Sequence, residues 1–146
     1  MSNEIMKVEN NIMLNEIFET KEVSKENSEI RHSTTTDNAK LFNALRGKST
    51  SIRDVIGETF DIIDIVITAN DVLKDKDDES LGMENKPIVH FYTKDGLHLS
   101  SLSNGIIRNT KALLETGIIP TEESPIKIKF DEVKTKKGTA FTFELV

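Results

Sequence analysis

The chain holds 146 residues, with 25 Asp and Glu against 19 Lys and Arg, a formal charge of -6, and no cysteine. This length suits one compact domain with a continuous core and an appendage. The absence of cysteine excludes a disulfide framework, a thiolate metal site and a cysteine nucleophile, which fits a reducing, cytoplasmic setting. No apolar run reaches the roughly 18 residues that cross a bilayer, and MSNEIMKVENN lacks the basic-then-apolar order of a signal peptide, so a soluble protein with no membrane partner is expected.

The net charge hides an uneven distribution. Residues 1–36 carry seven acids and four basic residues, 71–85 carry six and two, but 86–146 carry seven and nine. The acid excess sits in the N-terminal span and one loop, so bulk repulsion does not exclude a local basic face.

Residues 1–36 are rich in Asn, Glu, Ser, Thr and Lys, without Gly, Pro or strand-like alternation. They read as a flexible N-terminal arm, with residues 37–146 as the folded domain. Ile5, Val8, Ile12, Met13, Ile17 and Phe18 recur every three to five positions, as on a weak amphipathic helix that orders against a partner. Self-association through this arm is the expectation that follows. Asp37 then caps a short helix from Asn38 to Leu45, with Leu41, Phe42 and Leu45 on one side and Gly47 as its stop.

GETFDIIDIVITAND (57–71) is dense in β-branched and aromatic residues and reads as a long strand. Its parity is mixed: Phe60, Ile62 and Val66 share one face, and Ile63, Ile65 and Ile67 the other. Burial that differs between the two ends, or a bulge that shifts the register, accounts for this in a strand that bends between two sheets. The charged LKDKDDESLGMENK (73–86) follows as a solvated loop. VHFYTKDGLHLSS (89–101) then forms a hairpin: a strand from Pro87 to Thr93, a tight turn at Lys94-Asp95-Gly96, and a return from Leu97 to Leu102. Strand parity sends Val89, Phe91, Leu97 and Leu99 inward and displays His90, Tyr92 and His98. Phe60 reads as core as well.

SNGIIRNTKALLETG (103–117) changes to helical period, with Ile106, Ile107, Thr110, Leu113 and Leu114 on one side, a cap at Ser103 or Asn104, and Gly117 as terminator. PIKIKFDEV (125–133) alternates Ile126, Ile128 and Phe130 against Lys127, Lys129 and Asp131, KTKKGT turns the chain, and AFTFELV returns with Phe141, Phe143 and Leu145 inward. The order β-β-β-α-β-β is that of an all-β chain with one main helix, a five-stranded OB-fold barrel, with an open α+β sheet as its rival. That barrel commonly binds single-stranded nucleic acid or oligosaccharide on its strand 2 and 3 face, and its closure removes exposed strand edges.

IRDVIGETFDIIDIVI, the acidic loop, KPIVHFYTKDGLHLSSLSNGIIRNTKALLETG and IKIKFDEVKTKKGTAFTFEL together resemble the small single-stranded-DNA-binding proteins of Gram-positive bacteriophages and conjugative plasmids, the PrgE-like plasmid transfer proteins among them. The resemblance covers roughly residues 52–146 and rests on VIG at the first strand, SNGI at the helix start and KTKKG at the last hairpin. It implies coating of single-stranded DNA during phage or plasmid replication or conjugative transfer, by a protein that assembles along the strand and catalyses nothing.

Sequence-independent binding of single strands needs π-faces for the bases and cations for the phosphates. The candidates are Tyr92, His90 and His98, with Lys94 at the hairpin turn and Lys127, Lys129, Lys134, Lys136 and Lys137 on the last hairpin. The plainer reading makes the same lysines a solvated surface, and the competing function is a protein-interaction module of a mobile element that binds no nucleic acid. Other chemistry finds no support. RGKST (46–50) resembles the end of a phosphate-binding loop, but Phe42 stands where that loop needs its first Gly. His32, His90 and His98 have no metal-ligand spacing, KDKDDES lacks the EF-hand glycine, and no nucleophile motif is present, so neither metal, cofactor nor catalysis is expected. The strand-like end FTFELV differs from the acidic tail by which cellular single-strand-binding proteins recruit partners, which leaves that task to the arm.

Overall fold

The computed structural model describes residues 14–22 and 28–146, the side chains of 21 and 22 excepted. Ile5, Val8, Ile12 and Met13 lie outside the described residues. The described elements are β1 (Lys21–Glu22), β2 (Ser28–Ser33), α1 (Asn38–Arg46), β3 (Thr50–Ser51), a 3-10 turn (Ile52–Val55), β4 (Thr59–Leu73) and a second 3-10 turn (Glu79–Leu81). They continue as β5 (Met83–Thr93), β6 (His98–Ser101), α2 (Asn104–Glu115), β7 (Ile126–Thr135) and β8 (Gly138–Leu145). Among the described residues the strands form one curled, half-barrel sheet in the order β3-β6-β5-β4-β7-β8, with β1 beside β5 and β2 beside β4. No helix among them is long and apolar enough to cross a membrane.

β4 organises the sheet. One of its edges pairs with β5 along nearly its whole length. The other pairs with β7 over Thr59 to Ile62 and then with β2 over Val66 to Asn70. The change of partner coincides with a bulge, because Ile62 lies opposite Thr93 but Asp64 lies opposite Tyr92. One extra residue inverts the side-chain parity. Phe60 and Ile62 before the bulge, and Ile65 and Ile67 after it, therefore reach the same core. Val66 falls on the opposite face with Ile63, not beside Phe60 and Ile62 as plain alternation suggests. The bulge is braced from outside, as Ile65 N–H donates to Thr34 Oγ1 at 2.9 Å and Thr34 N–H donates to the Ile65 carbonyl at 3.0 Å.

The main core lies in the concavity of the sheet. Phe91, Phe130 and Phe143 meet edge to face with centroids 5.3 to 6.0 Å apart, the geometry that the ring quadrupole favours. Ile106 and Leu113 of α2 cover them. Asp37 caps α1 as expected, accepting from the Ala39 and Lys40 amides, but α1 turns Ala44 rather than Phe42 onto the sheet, and Phe42 is 64 % exposed. Leu97 and Leu145, expected inward, are also exposed, each near a strand end where the ladder no longer holds it over the core.

Residues 14–33 differ from a free arm wherever they are described. Leu14 and Ile17 join the main core, and β2 supplies a partner to an otherwise open edge of β4. Arg31 ties the two together: its guanidinium donates to the carbonyls of Ile17 and Glu19 and, at 2.9 Å, to Asn85 Oδ1. Main-chain pairing holds the polar residues of β2, which need no apolar period of their own, whereas Leu14 and Ile17 are held by burial.

Among the described residues no strand pairing closes the half-barrel. β3 and β8 are the two ends of the sheet path, and α2 bridges toward β8 instead. Asn109 Nδ2 donates to Thr142 Oγ1 at 2.6 Å and to the Phe143 carbonyl at 2.9 Å. Gly105 sits so close that an added Cβ would lie 2.0 Å from the Phe141 carbonyl oxygen. Gly57, at φ +87°, turns the chain into β4 while its N–H donates to the Phe130 carbonyl at 2.8 Å. The glycines of SNGI and VIG thus each hold a place that a larger residue would disrupt.

Candidate nucleic-acid interface

The hairpin forms in the expected register, with Phe91 opposite Leu99 and Tyr92 opposite His98. His90, Tyr92 and His98 do project away from the Phe91 core, but their face is covered. Tyr92 is 7 % and His90 4 % exposed: Lys40 of α1 lies against Tyr92, and Thr68 and His98 flank His90. The Tyr92 hydroxyl donates to the Lys40 carbonyl at 2.6 Å, and Lys40 Nζ sits 5.7 Å from the Tyr92 centroid while it pairs with Asp64 at 2.7 Å. The ring stacks on His98, with centroids 4.5 Å apart and planes 21° from parallel. A hydrogen-bonded line continues inward from His98 Nε2 to His90 Nδ1 at 2.8 Å, and from His90 Nε2 to Thr68 Oγ1 at 2.9 Å.

This cluster is electrically quiet at neutral pH. Burial, reinforced by neighbouring His98, holds His90 down to about 3. Burial also lowers His98, against the opposing pull of its hydrogen bond to the Lys48 main chain. Burial and then the Asp37 and Asp64 carboxylates push Tyr92 up to about 12. Neutral imidazoles and a neutral phenol offer no cation to a phosphate, and the Tyr92 ring is buried with His98 stacked on it. The expected display of Tyr92 and His90 is therefore corrected to a packed polar cluster. Strand parity identifies the face a residue takes but not the element that covers it.

The six lysines separate into two groups. Lys94 and Lys127 flank Asp61 from opposite sides: the Lys94 amide donates to the Asp61 carbonyl at 2.9 Å, and Lys127 is the β7 partner of Asp61. Lys129 lies opposite Glu144. Lys134, Lys136 and Lys137 are exposed at the far end of the β7–β8 hairpin. At ~3.3 Å per residue, Lys134 stands roughly 23 Å along β7 from Lys127. The first group shares its surface with carboxylates, and the second forms the more cationic end.

That cationic end adjoins a cleft between the two ends of the sheet path. It is lined by Ser51 and Arg53, by Ser101, Leu102 and Ser103, and by Thr139 and Phe141. Thr139 is the ladder partner of Lys134. Its volume of about 390 Å³ falls within the range of small-molecule pockets. Phe141, expected inward, packs partly on the core and is half-buried at the wall of the cleft, where the Arg53 guanidinium lies 5.6 Å from its ring centroid. Arg53 and Phe141 are 88 positions apart, and only the curl of the sheet brings them together, so no local pattern marks them as a pair.

Comparison with known protein families finds a match over residues 18–145 to the family described as phage single-stranded DNA-binding protein, of the Phi29 type. No curated protein and no solved structure matches.

Proposed function

Because the chain belongs to the Phi29-type phage single-stranded DNA-binding protein family, we propose that it coats single-stranded DNA with little sequence preference, without catalysis, in the replication of a phage or the replication and transfer of a conjugative plasmid. The observation that carries the reading is the extent of the match: residues 18–145 include every described strand, so the matched segment is the fold itself rather than one loop of it. The β-β-β-α-β-β order of β4, β5, β6, α2, β7 and β8 supports reading the half-barrel as an OB-type scaffold. Lys134, Lys136 and Lys137 supply phosphate contacts at its cationic end, and Lys94, Lys127 and Lys129 contribute less because Asp61 and Glu144 share their surface. The protein acts in the cytoplasm, where replicating DNA is exposed.

Assembly along the strand uses the N-terminal residues. Since Leu14, Ile17 and β2 belong to the fold, the informative deletion removes residues 1–13 and leaves the rest in place. Light scattering of that variant, with and without DNA, is expected to show smaller assemblies than the full chain; equal assemblies overturn the role of the arm. The main test is fluorescence anisotropy with labelled oligo(dT) and a matched duplex over a salt series. Binding that prefers the single strand and weakens with salt is expected. Absence of binding to either overturns the reading and leaves a protein-interaction module in its place.

A further inference from the structure

We propose that the cleft between the two ends of the sheet path is a single-nucleotide pocket, in which an unpaired base stacks on Phe141 while the neighbouring phosphate meets the Arg53 guanidinium. The proposal rests on the single-strand reading above and assigns to it a base-stacking position. Stacking needs an aromatic side chain that is held in place, reachable from solvent and set beside a cation. Phe91, Phe130, Phe143 and Tyr92 are buried and Phe42 is exposed outside the cleft; Phe18, Phe60 and Phe141 are half-buried, and of these three Phe141 lines the cleft. Its main chain is held by the close approach of Gly105.

The cation is already at the ring. Arg53 is exposed and lies 5.6 Å from the Phe141 centroid, where a guanidinium can stack beside a base and present its planar fork to a phosphate. The rest of the lining suits a sugar-phosphate. Ser51 Oγ accepts from the Arg53 amide and Ser101 Oγ accepts from the Ser103 amide, so each keeps its hydroxyl hydrogen for a phosphate oxygen. Ser103, at the start of α2, makes no side-chain capping bond, which leaves its hydroxyl uncommitted too. Among the described residues no carboxylate lines the cleft. Lys134 stands across the ladder from Thr139 at its margin. A single strand that follows the lysines of the hairpin end reaches this cleft directly.

The experiment uses the full chain with Phe141→Leu, Arg53→Gln and Phe141→Trp. The protein has no tryptophan, so the introduced indole reports on the cleft alone. Phe141→Leu keeps apolar bulk but removes the π-face, and is expected to weaken oligo(dT) binding about tenfold. It is expected to bind an abasic oligomer of the same length as well as the parent does. Arg53→Gln is expected to weaken binding to both oligomers. Unlabelled oligo(dT) is expected to quench Phe141→Trp over the concentration range in which the parent binds. If the parent binds oligo(dT) while Phe141→Trp is not quenched and the other two variants match the parent, the pocket is overturned and the single-strand reading stands. If Phe141→Leu loses binding equally for the abasic oligomer, stacking is overturned. If the parent binds no single strand, the reading fails and the pocket with it. Should Phe141→Leu lower the melting temperature, the indole signal decides.

Discussion

The Tyr92 hydroxyl donates to the main-chain carbonyl of Lys40 at 2.6 Å, and the same lysine returns its ammonium over the Tyr92 ring and onto Asp64. One residue of α1 thereby closes the outer face of the β4–β5 ladder. The arrangement makes Tyr92 a packing residue, and its substitution separates that role from DNA contact. Tyr92→Phe is expected to cost about 0.5–1.5 kcal/mol, the net worth of one hydrogen bond, and Tyr92→Ala about 3 kcal/mol through loss of a buried ring. Urea unfolding measures both, and single-strand affinity of the folded fraction is expected to stay within twofold of the parent. A large loss of affinity from Tyr92→Phe at unchanged stability would return the ring to the binding surface.

On the opposite face of the same strand, Phe91 is fully buried against Phe130 and Phe143. Phe91→Ala is expected to destabilise the domain by about 3–5 kcal/mol. A denaturant midpoint close to that of the parent would place Phe91 outside the core.

His90 makes stability depend on pH. The unfolded chain protonates it near its ordinary value of 6.5, and the folded chain only near 3. Between those values the unfolded state holds the extra proton, so stability falls as pH drops below about 6.5, by up to ~1.4 kcal/mol per pH unit for this one group. Unfolding at pH 7.5, 6.5, 5.5 and 5 tests the slope above most carboxylate titrations. His90→Gln is expected to flatten it, and an unchanged slope in that variant would assign the effect elsewhere.

Gly105→Ala places a methyl group 2.0 Å from the Phe141 carbonyl oxygen, so α2 or β8 must move. A loss of about 1–3 kcal/mol is expected from overpacking, measured by thermal or urea unfolding. A neutral substitution would mean that α2 does not approach β8 so closely.

The two lysine groups are expected to differ in the salt dependence of binding. Lys134→Ala, Lys136→Ala and Lys137→Ala each reduce the slope of log K against log salt by about 0.7 if each side chain holds one phosphate. Lys127→Ala and Lys129→Ala, opposite Asp61 and Glu144, change it less. Equal effects from all five would place the strand along the whole hairpin.

Much of the scaffold is legible in the chain. The tight turn at Lys94-Asp95-Gly96, the helical period of 103–117 and the alternation of Ile126, Ile128 and Phe130 each record a local periodicity. The irregular parity of β4 indicates a bulge before its position is known. What tertiary structure alone decides is coverage and long-range meeting. Alternation sends His90 and Tyr92 outward, but only the docking of α1 through Lys40 and Asp64 turns that outward face into an interior. Polar residues 28–33 become a strand because β4 has an edge to pair, and main-chain hydrogen bonds carry no side-chain signature. Arg53 and Phe141 become neighbours because the sheet curls its two ends toward each other. A residue's period is written in its neighbours along the chain, whereas what lies over it depends on the free energy of packing elements far apart in sequence.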